Sequence, residues 1–520
     1  MHENRETSET PAVKPGSRTV GEGDSRTALA NVPEESHDGI VPMNHSNKDE
    51  RPLAENEEGR PSIKENAGQP HTHSTQSGDR VSQGLAGVRK AAREHKEMRF
   101  TALLHHLTID LLRESFYSLK KKAAPGVDGI TWHEYETGLE QRLIDLHGRV
   151  HRGAYRALPS RRVYIQKEDG RQRPLGVAAL EDKIVQQAVV TILNQIYEED
   201  FLGFSYGLRP GRSQHDALDA LTYALLKKKV NYIVDADIRG FFDNLDKDWM
   251  IKFMEHRVAD PRILRLIRKW LKAGVMEEGQ GSEPETGTPQ GSVISPLLAN
   301  LYLHYGFDLW VNVWRQKWAQ GEVVVIRYAD DSITGFQFRA DADRFLENLR
   351  ERLTMFGLEL HPEKTRRIEF GRFAEENRER RGKGKPETFD FLGFTHISGK
   401  NSLGQFSVRR TTIRKRMRAK LRQIKQELHL RMHDPVAQTG RWLQSVVQGY
   451  FNYYAVPGNL DSLAVFRQRL LGLWWRRLRR RSQKDRFSWN RTLALGRRWI
   501  PEPRVLHPYP AVRFAASHPR

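Results

Sequence analysis

Two acidic residues stand in the middle of a stretch of this 520-residue sequence that otherwise reads as buried β-strand. The stretch VVVIRYADDSITGF (323–336) places Asp330 and Asp331 side by side. Its apolar runs predict two strands of a hairpin, with the acids near a tight turn. Adjacent carboxylates repel, so one should be protonated unless a cation compensates them. Oxygen ligands in this arrangement suit Mg²⁺, which shares its coordination with substrate phosphates.

A third acid is expected from another buried strand, because one adjacent pair rarely holds a catalytic metal alone. The stretch NYIVDADIRGFFDN (231–244) offers Asp235, Asp237 and Asp243. Asp235 and Asp237 share a face of the predicted strand, whereas Asp243 lies beyond the break at Gly240. The spacing does not choose among the three, and solvated turn acids are the alternative interpretation.

The elements that must position these acids are predicted to be a mixture of helices and strands. RRVYIQKEDGRQRPLGV reads as a hairpin with basic residues beside its turn, and residues 375–387 read as a solvent loop. From about Val408 the sequence changes to strongly basic helices. An α/β part followed by an all-α part predicts a separate C-terminal helical domain.

The charge of the chain is strongly basic outside its first 85 residues. Residues 1–85 carry 15 Asp and Glu against 9 Lys and Arg, and the first aromatic residue other than His is Phe100, so we predict a disordered acidic tail. Since the whole chain is +20, the remaining residues carry +26. Such a surplus favours a nucleic-acid partner, with a merely solvated basic surface as the alternative.

The absence of Cys excludes disulfides, thiolate nucleophiles and Cys-ligated metal centres. The N-terminus has neither the basic patch nor the apolar core of a signal peptide, and no apolar run has the length of a membrane span. We therefore expect a cytoplasmic protein bound to nucleic acid and no membrane partner.

The motif Tyr328-Ala329-Asp330-Asp331 resembles the YxDD box of reverse transcriptases. DIRGFFD and TPQGSVISPLLANLYL precede it, and LELHPEKT and FLGF follow it, in the order of that family. The chain resembles most closely the group II intron-encoded reverse transcriptases and maturases, over roughly residues 95 to 515. Features of that branch are PGVDG (125–129), QKEDGRQRPLG (166–176), SYGLRPGRS (205–213), QGYFNYY (448–454) and the later RVLHPYPAVRF.

This resemblance implies a right-hand polymerase fold of the α/β (α+β) class, with an antiparallel palm sheet flanked by helices. The implied organisation is an acidic tail (1–85), fingers (86–230), a palm with the active site (231–398), and a helical thumb and maturase-specific domain (399–520).

For the active site, the resemblance implies that Asp237, Asp330 and Asp331 bind two Mg²⁺ ions, for which Mn²⁺ could substitute. Lys364 resembles a lysine that protonates the leaving pyrophosphate.

For the incoming dNTP, the implied contacts are Lys167 and Arg173 to the triphosphate and Gln290 to the sugar. Phe242 is expected beneath the sugar, where it would exclude a 2′-hydroxyl, whereas Phe241 is expected in the core. The implied RNA-binding residues are Arg414, Lys415, Arg416, Arg418 and Lys420. Trp474 and Trp475 could stack on bases, but we expect at least one of them in the core.

The implied function is RNA-directed DNA synthesis together with maturase binding of group II intron RNA. The expected partners are that RNA, an RNA template with a DNA primer, and dNTPs, and whether the chain forms a homodimer stays open. No endonuclease is expected, since only some twenty residues follow Ile500 and none is Cys. The alternatives are an intron-independent reverse transcriptase in host defence or repair, and a non-catalytic RNA-binding splicing factor.

Overall fold

Helices and strands make up most of the part of the chain that the structure describes. The computed structural model describes residues 76–166, 172–277, 280–282, 287, 291–481 and 487–517. Within them the strands are β1 (Ser160–Gln166), β2 (Gln172–Val177), β3 (Tyr232–Asp237), β4 (Val275–Glu277), β5 (Gln280–Ser282), β6 (Val323–Tyr328), β7 (Asp331–Phe336), β8 (Arg366–Glu369), β9 (Thr388–Phe391), β10 (Phe394–Lys400) and β11 (Phe406–Thr412). The α-helices are α1 (Gln76–Glu94), α2 (Ile109–Ser118), α3 (Trp132–Glu136), α4 (Leu139–His151), α5 (Leu180–Asp200), α6 (Gln214–Lys227), α7 (Lys247–Glu255), α8 (Pro261–Lys272), α9 (Ser295–Leu303), α10 (Leu309–Lys317), α11 (Arg339–Thr354), α12 (Ala374–Arg380), α13 (Arg414–Leu430), α14 (Val436–Tyr454), α15 (Leu460–Leu478), α16 (Trp489–Trp499) and α17 (Pro510–Ser517).

The acidic stretches lie in a four-stranded sheet with the order β6-β7-β3-β8. Each neighbouring pair is antiparallel, as expected for the palm. Helix α6 packs on β6, and helix α11 packs on β3 and β7. Val324, Val325 and Ile326 are all buried, so both faces of β6 are covered along these residues. This explains why residues 323–326 read as an unbroken apolar run.

The predicted basic hairpin is confirmed by the antiparallel pairing of β1 with β2. Its strands run in register from Arg161 opposite Val177 to Gln166 opposite Gln172. Strand β1 also pairs in parallel with β4, which continues the sheet to β5. The residues between Gln166 and Gln172, which include Lys167, lie outside the described residues.

A third sheet, in the order β11-β10-β9, corrects two of the predicted boundaries. The basic stretch after Val408 begins as strand β11, and the helix starts only at Arg414. The 398/399 boundary between palm and thumb divides β10, which pairs with β11 from Phe394 to Lys400. Residues 375–387 are not a loop throughout, because α12 covers Ala374–Arg380.

The C-terminal helices share one apolar core with the palm sheet. Leu421 of α13, Leu443 of α14 and Phe466 of α15 belong to the same buried cluster as Ile326 of β6. Trp474 is only 1% exposed, which confirms the expectation that at least one ring of the Trp pair lies in the core. Burial of this shared surface holds the helical part on the sheet.

The segment that contains RVLHPYPAVRF clasps helix α6. Asp219 of α6 is buried and accepts a hydrogen bond from Arg410 of β11 at 2.9 Å and another from Arg513. The ring of Phe514 stacks on Tyr223 with 4.6 Å between ring centroids. We call residues 506–517 the C-terminal clasp, because they contact α6 and, through Leu506 and His507, the end of α14.

Helix α1 begins at Gln76, nine residues before the predicted end of the acidic tail at residue 85. Its Arg89 and Arg93 donate hydrogen bonds to Glu199 of α5 at 2.9 and 3.1 Å. The tail therefore ends before residue 76, and residues 1–75 lie outside the described part. None of the described helices combines the length and the apolar character needed to span a bilayer.

Candidate active site

Asp237 at the end of β3 lies directly opposite Asp331 at the start of β7. Directly opposed residues of antiparallel strands place their side chains on the same face, with Cβ atoms about 5 Å apart. Asp235 is two residues earlier on β3 and shares that face. Asp330 occupies the turn just before β7. The structure thus brings four of the five acids singled out by the sequence to one end of the sheet, whereas Asp243 lies in the short helix Phe241–Asp243 that follows β3.

The turn that carries Asp330 has a constrained backbone. Ala329 has φ of 57°, in the left-handed region that a residue with a Cβ adopts only at a cost of about 1 kcal/mol or more. Its carbonyl oxygen accepts a hydrogen bond from Arg327 Nη1 at 2.9 Å. The side chain of Arg327 therefore restrains the backbone of this turn through a hydrogen bond.

Arg327 is the centre of a buried polar network. It is 1% exposed and forms a bidentate ion pair with Asp308, with Nε–Oδ1 and Nη2–Oδ2 distances of 2.6 and 2.5 Å. It also donates to Asn300 Oδ1 at 3.0 Å and to Ser205 Oγ at 2.7 Å. Asp308 is placed there by a π-helical turn, His304–Asp308, between α9 and α10. Through Asn300 and Asp308, this network connects the turn that carries Asp330 to helices α9 and α10.

Gly207, in the SYGLRPGRS motif, allows the neighbouring loop to lie against the same turn. A Cβ at this position would come within 2.2 Å of the Ala329 backbone nitrogen. The carbonyl oxygen of Gly207 accepts a hydrogen bond from Asn300 Nδ2 at 2.8 Å. Any larger residue would displace the turn.

The acids of the site do not all ionise easily. Burial, followed by the carboxylates of Asp235, Asp330 and Asp237, raises the pKa of Asp331 to about 8, while the Arg416 guanidinium opposes the rise. This is the repulsion that the adjacent acids predict in the absence of a compensating cation.

Lys364 compensates one of these charges directly. Its Nζ lies 2.7 Å from Asp237 Oδ2, while the backbone N–H of His361 donates to the Asp237 carbonyl oxygen at 2.7 Å. Asp235 has a weaker partner in Arg366, at 3.9 Å. Burial therefore dominates and raises the pKa of Asp235 to about 6. The HPEKT loop thus brings a cation to the end of the sheet.

The acids of this site fit a hard divalent cation, because Asp237, Asp330 and Asp331 offer only carboxylate oxygens as side-chain ligands. The raised pKa of Asp331 records negative charge that the surrounding side chains leave uncompensated. No group of three or more acidic or His side chains within the described residues is already arranged to hold a metal ion. One reason is that Lys364 occupies one oxygen of Asp237.

Phe242 and Gly287, the residue before the TPQG motif, lie close together. The ring of Phe242 is partly buried and meets Phe241 edge-on at 5.2 Å between centroids, and Phe241 is buried as expected. Gly287 has φ of +89°, and a Cβ there would come within 2.9 Å of the Phe242 carbonyl oxygen. The other predicted nucleotide contacts, Gln290 and Lys167, lie outside the described residues, as does the side chain of Arg173.

The five basic residues predicted to bind RNA are divided between two sides of α13. Arg414, Lys415 and Arg418 line a groove of about 800 Å³ beside β10 and β11. Arg416 instead faces the paired acids and lies near Gly393, where an added Cβ would be 3.1 Å from its Nη1. Lys420 donates a hydrogen bond to Gln423 Oε1 at 3.0 Å.

Sequence reasoning missed the residues that support the turn. Arg327 carried a readable signal, since it is a charged residue inside an apolar strand and so requires a buried partner. Its partners Asp308, Asn300 and Ser205 carry no such signal. Asn300 and Ser205 lie in motifs that carry the family resemblance, and Asp308 follows the first of these motifs, but no local pattern marks any of the three as a partner of Arg327.

The sheet, the opposed acids and the supported turn define a polymerase-type palm, and comparison with known proteins gives the class. Residues 165–396 match the family model described as "Reverse transcriptase (RNA-dependent DNA polymerase)". Domains of this class generally use divalent metal ions. The fold class expected for this part, a mixed palm and fingers, agrees with the match.

The relatives specify the family further. The chain is 34% identical over 244 residues to Protein YkfC of Escherichia coli K12, covering 42% of this chain and 64% of that protein. It is 35% identical over 222 residues to the group II intron-encoded protein LtrA of Lactococcus lactis subsp. cremoris, covering 42% of this chain and 37% of the relative. It is 40% identical over 146 residues to an "Uncharacterized 91 kDa protein in cob intron" of Schizosaccharomyces pombe, covering 28% and 18% of the two chains.

Each match thus spans less than two thirds of the relative's own length. The domain match and these relatives show that the chain is similar to reverse transcriptases and to group II intron-encoded proteins.

Proposed function

We propose that this chain is an RNA-directed DNA polymerase encoded by a group II intron, and that it extends a primer 3′-hydroxyl with dNTPs on an RNA template. The observation that carries the proposal is Asp237 directly opposite Asp331, beside a turn held by buried Arg327, inside a reverse transcriptase domain. The proposed arrangement is fingers over 86–230, a palm that starts at 231 and extends beyond the expected end at 398 to include β11, and a helical thumb and maturase domain from α13 onward.

In this proposal Asp237, Asp330 and Asp331 hold two Mg²⁺ ions, with Mn²⁺ as a substitute. The bound ions would lower the pKa of the primer hydroxyl and neutralise charge on the leaving pyrophosphate. Lys364, whose Nζ lies 2.7 Å from Asp237 Oδ2, is proposed to protonate that pyrophosphate. Lys167 and Arg173 are proposed to bind the triphosphate, and Gln290 the sugar.

A second activity, maturase binding of intron RNA, is favoured by the exposed cations of α13. Arg414, Lys415 and Arg418 line one groove and leave Arg416 turned toward the acids. Phosphates are the ligands that such a surface fits. The proposed partners are therefore group II intron RNA, an RNA template with its primer, and dNTPs, with a homodimer as a further proposal.

The direct test is primer extension on an RNA template with dNTPs, with Mg²⁺ and Mn²⁺ in separate reactions. Extension with dNTPs supports the polymerase. Tight binding of structured RNA without any extension would favour the splicing-factor alternative. Extension without preferential binding of intron RNA would favour a host role in defence or repair.

Replacement of Phe242 with Ala is expected to increase ribonucleotide incorporation by about tenfold or more relative to dNTPs. The partly buried ring lies in the short helix that follows β3, and its removal would open space beside the sugar. The ratio of kcat/KM for dNTP and rNTP measures the effect, with the exposed Phe373→Ala as the matched control. If this ratio is unchanged in Phe242→Ala, the ring has only a packing role and does not select the sugar.

A further inference from the structure

A second basic groove runs between α13 and α15 and ends at Trp489, the first residue of α16. It encloses about 690 Å³. Its floor includes Leu421 and Leu473, and its walls carry five cations, Arg418, Arg422, Lys425, Arg469 and Arg476. We call it the tryptophan groove.

The cations of this groove have no acidic partner among the residues that the structure describes. Across the described residues, none of the five forms an ion pair, and the described lining contains no Asp or Glu. Arg431, farther along α13, behaves differently, since it pairs with Glu427 at 3.5 Å and Asp434 at 3.6 Å. Five neighbouring positive charges without counter-charges repel one another, so their natural ligand is a polyanion.

The aromatic residues of the groove identify what kind of polyanion fits. Trp475 is fixed by a hydrogen bond from its Nε1 to the Phe487 carbonyl oxygen at 3.2 Å, and the Arg479 guanidinium lies 4.9 Å from its ring centroid. Trp489 meets Trp475 edge-on at 5.7 Å between centroids and remains 37% exposed. An exposed indole ring can stack on an unpaired base, while the neighbouring cations bind the phosphates of the same strand.

The groove is separate from the paired acids. On α13, Arg418 follows Arg416 by two residues, a rotation of about 200° around the helix. Arg422 and Lys425 lie on the Arg418 side, whereas Arg416 acts on Asp331. A strand in this groove therefore contacts the face of α13 turned away from the site of synthesis.

We propose that the tryptophan groove binds a single-stranded stretch of nucleic acid, with one unstacked base on Trp489 and the adjacent phosphates on the cations. The inference deepens the proposed function by adding a binding site for an unpaired part of the nucleic acid that the chain acts on. RNA and DNA share the chemistry that the groove reads, namely a base face and a phosphate chain.

The test measures binding of a short labelled single strand by fluorescence anisotropy, with RNA and DNA of one sequence and a blunt RNA duplex as separate ligands. The Arg422→Gln, Lys425→Gln double variant should weaken single-strand binding at least tenfold and make its salt dependence shallower. Trp489→Leu should weaken it about tenfold at every salt concentration, while Trp489→Phe keeps most of the affinity. Arg441→Gln, an exposed change on α14, serves as the charge control.

Loss of affinity for RNA or DNA supports the proposal, and the strand with the larger loss identifies the natural source. Unchanged single-strand binding in Trp489→Leu, or an equal loss for the blunt duplex, overturns it. Primer extension on a short template is measured on the same variants. If wild type does not extend but Trp489→Leu still loses single-strand binding, the groove stands and the polymerase proposal fails.

Discussion

Asp331→Asn is expected to reduce RNA-templated DNA synthesis by about a thousandfold or more, and Asp237→Asn to do the same. The two carboxylates are directly opposed across β3 and β7, so either change removes one side of the proposed metal site. Binding of RNA should stay within about twofold of wild type, since removal of a negative charge does not weaken contact with phosphates.

Single-turnover primer extension measures the loss, and filter binding of the RNA template measures the retained affinity. Asp145→Asn, which neutralises an exposed acid on α4, is the matched control and should extend normally. Extension by Asp331→Asn at the wild-type rate would contradict the metal assignment.

The same variant should be more stable than wild type when divalent ions are absent. The pKa of Asp331 is about 8 in the folded chain and about 4 in an unfolded one. Between these values the folded state keeps a proton that the unfolded state has lost, so this residue lowers stability as pH rises from about 4 to about 8. Because Asn does not titrate, the stability of Asp331→Asn relative to wild type should increase from about pH 4 to about pH 8 and then stay constant.

Thermal unfolding at pH 5 and pH 8 in EDTA tests this expectation, and repetition with Mg²⁺ extends it. Added Mg²⁺ should stabilise wild type at pH 8 and have little effect on Asp331→Asn. Equal melting temperatures for the two proteins at pH 8 in EDTA would show that Asp331 ionises freely.

Asp308→Ala is expected to lower the free energy of unfolding by about 3–5 kcal/mol, because it leaves the Arg327 guanidinium buried without its counter-charge. The activity of the folded fraction should also fall, since Arg327 is then no longer held beneath the Ala329 carbonyl oxygen. Urea denaturation measures the first effect, and kcat under stabilising conditions measures the second.

The double variant Arg327→Met, Asp308→Leu separates stability from positioning. An apolar pair of similar volume should recover most of the lost stability. It cannot restore the hydrogen bonds to Ala329 and Ser205, so kcat should remain low. Recovery of both stability and kcat would show that the network has no role in placing the turn.

The sequence was sufficient to predict those parts of the site in which the environment of a residue follows from its neighbours along the chain. Asp330 and Asp331 stand out within apolar strands, and the hairpin of β1 and β2 follows from alternation around a polar turn. Choosing Asp237 over Asp235 needed the family resemblance, because both share one strand face. Its register opposite Asp331 then became visible in the sheet.

The predictions from sequence fail where contacts between residues far apart in the chain override the local preference for helix or strand. Arg410 lies in a basic stretch that reads as helix, yet its side chain is buried against Asp219, 191 residues earlier, and the stretch is a strand. Ser205 is separated from Arg327 by 122 residues. No local pattern could have paired them.

The C-terminal clasp has a consequence for synthesis of the chain on the ribosome. Buried Asp219 of α6 obtains Arg513 as a partner only after 294 further residues have been added. At about 5–20 residues per second this delay is on the order of 15–60 s. During that interval the helix behind β6 carries an acid whose final counter-charge has not been translated. We therefore expect the palm to reach its mature packing only after residue 513 has been translated.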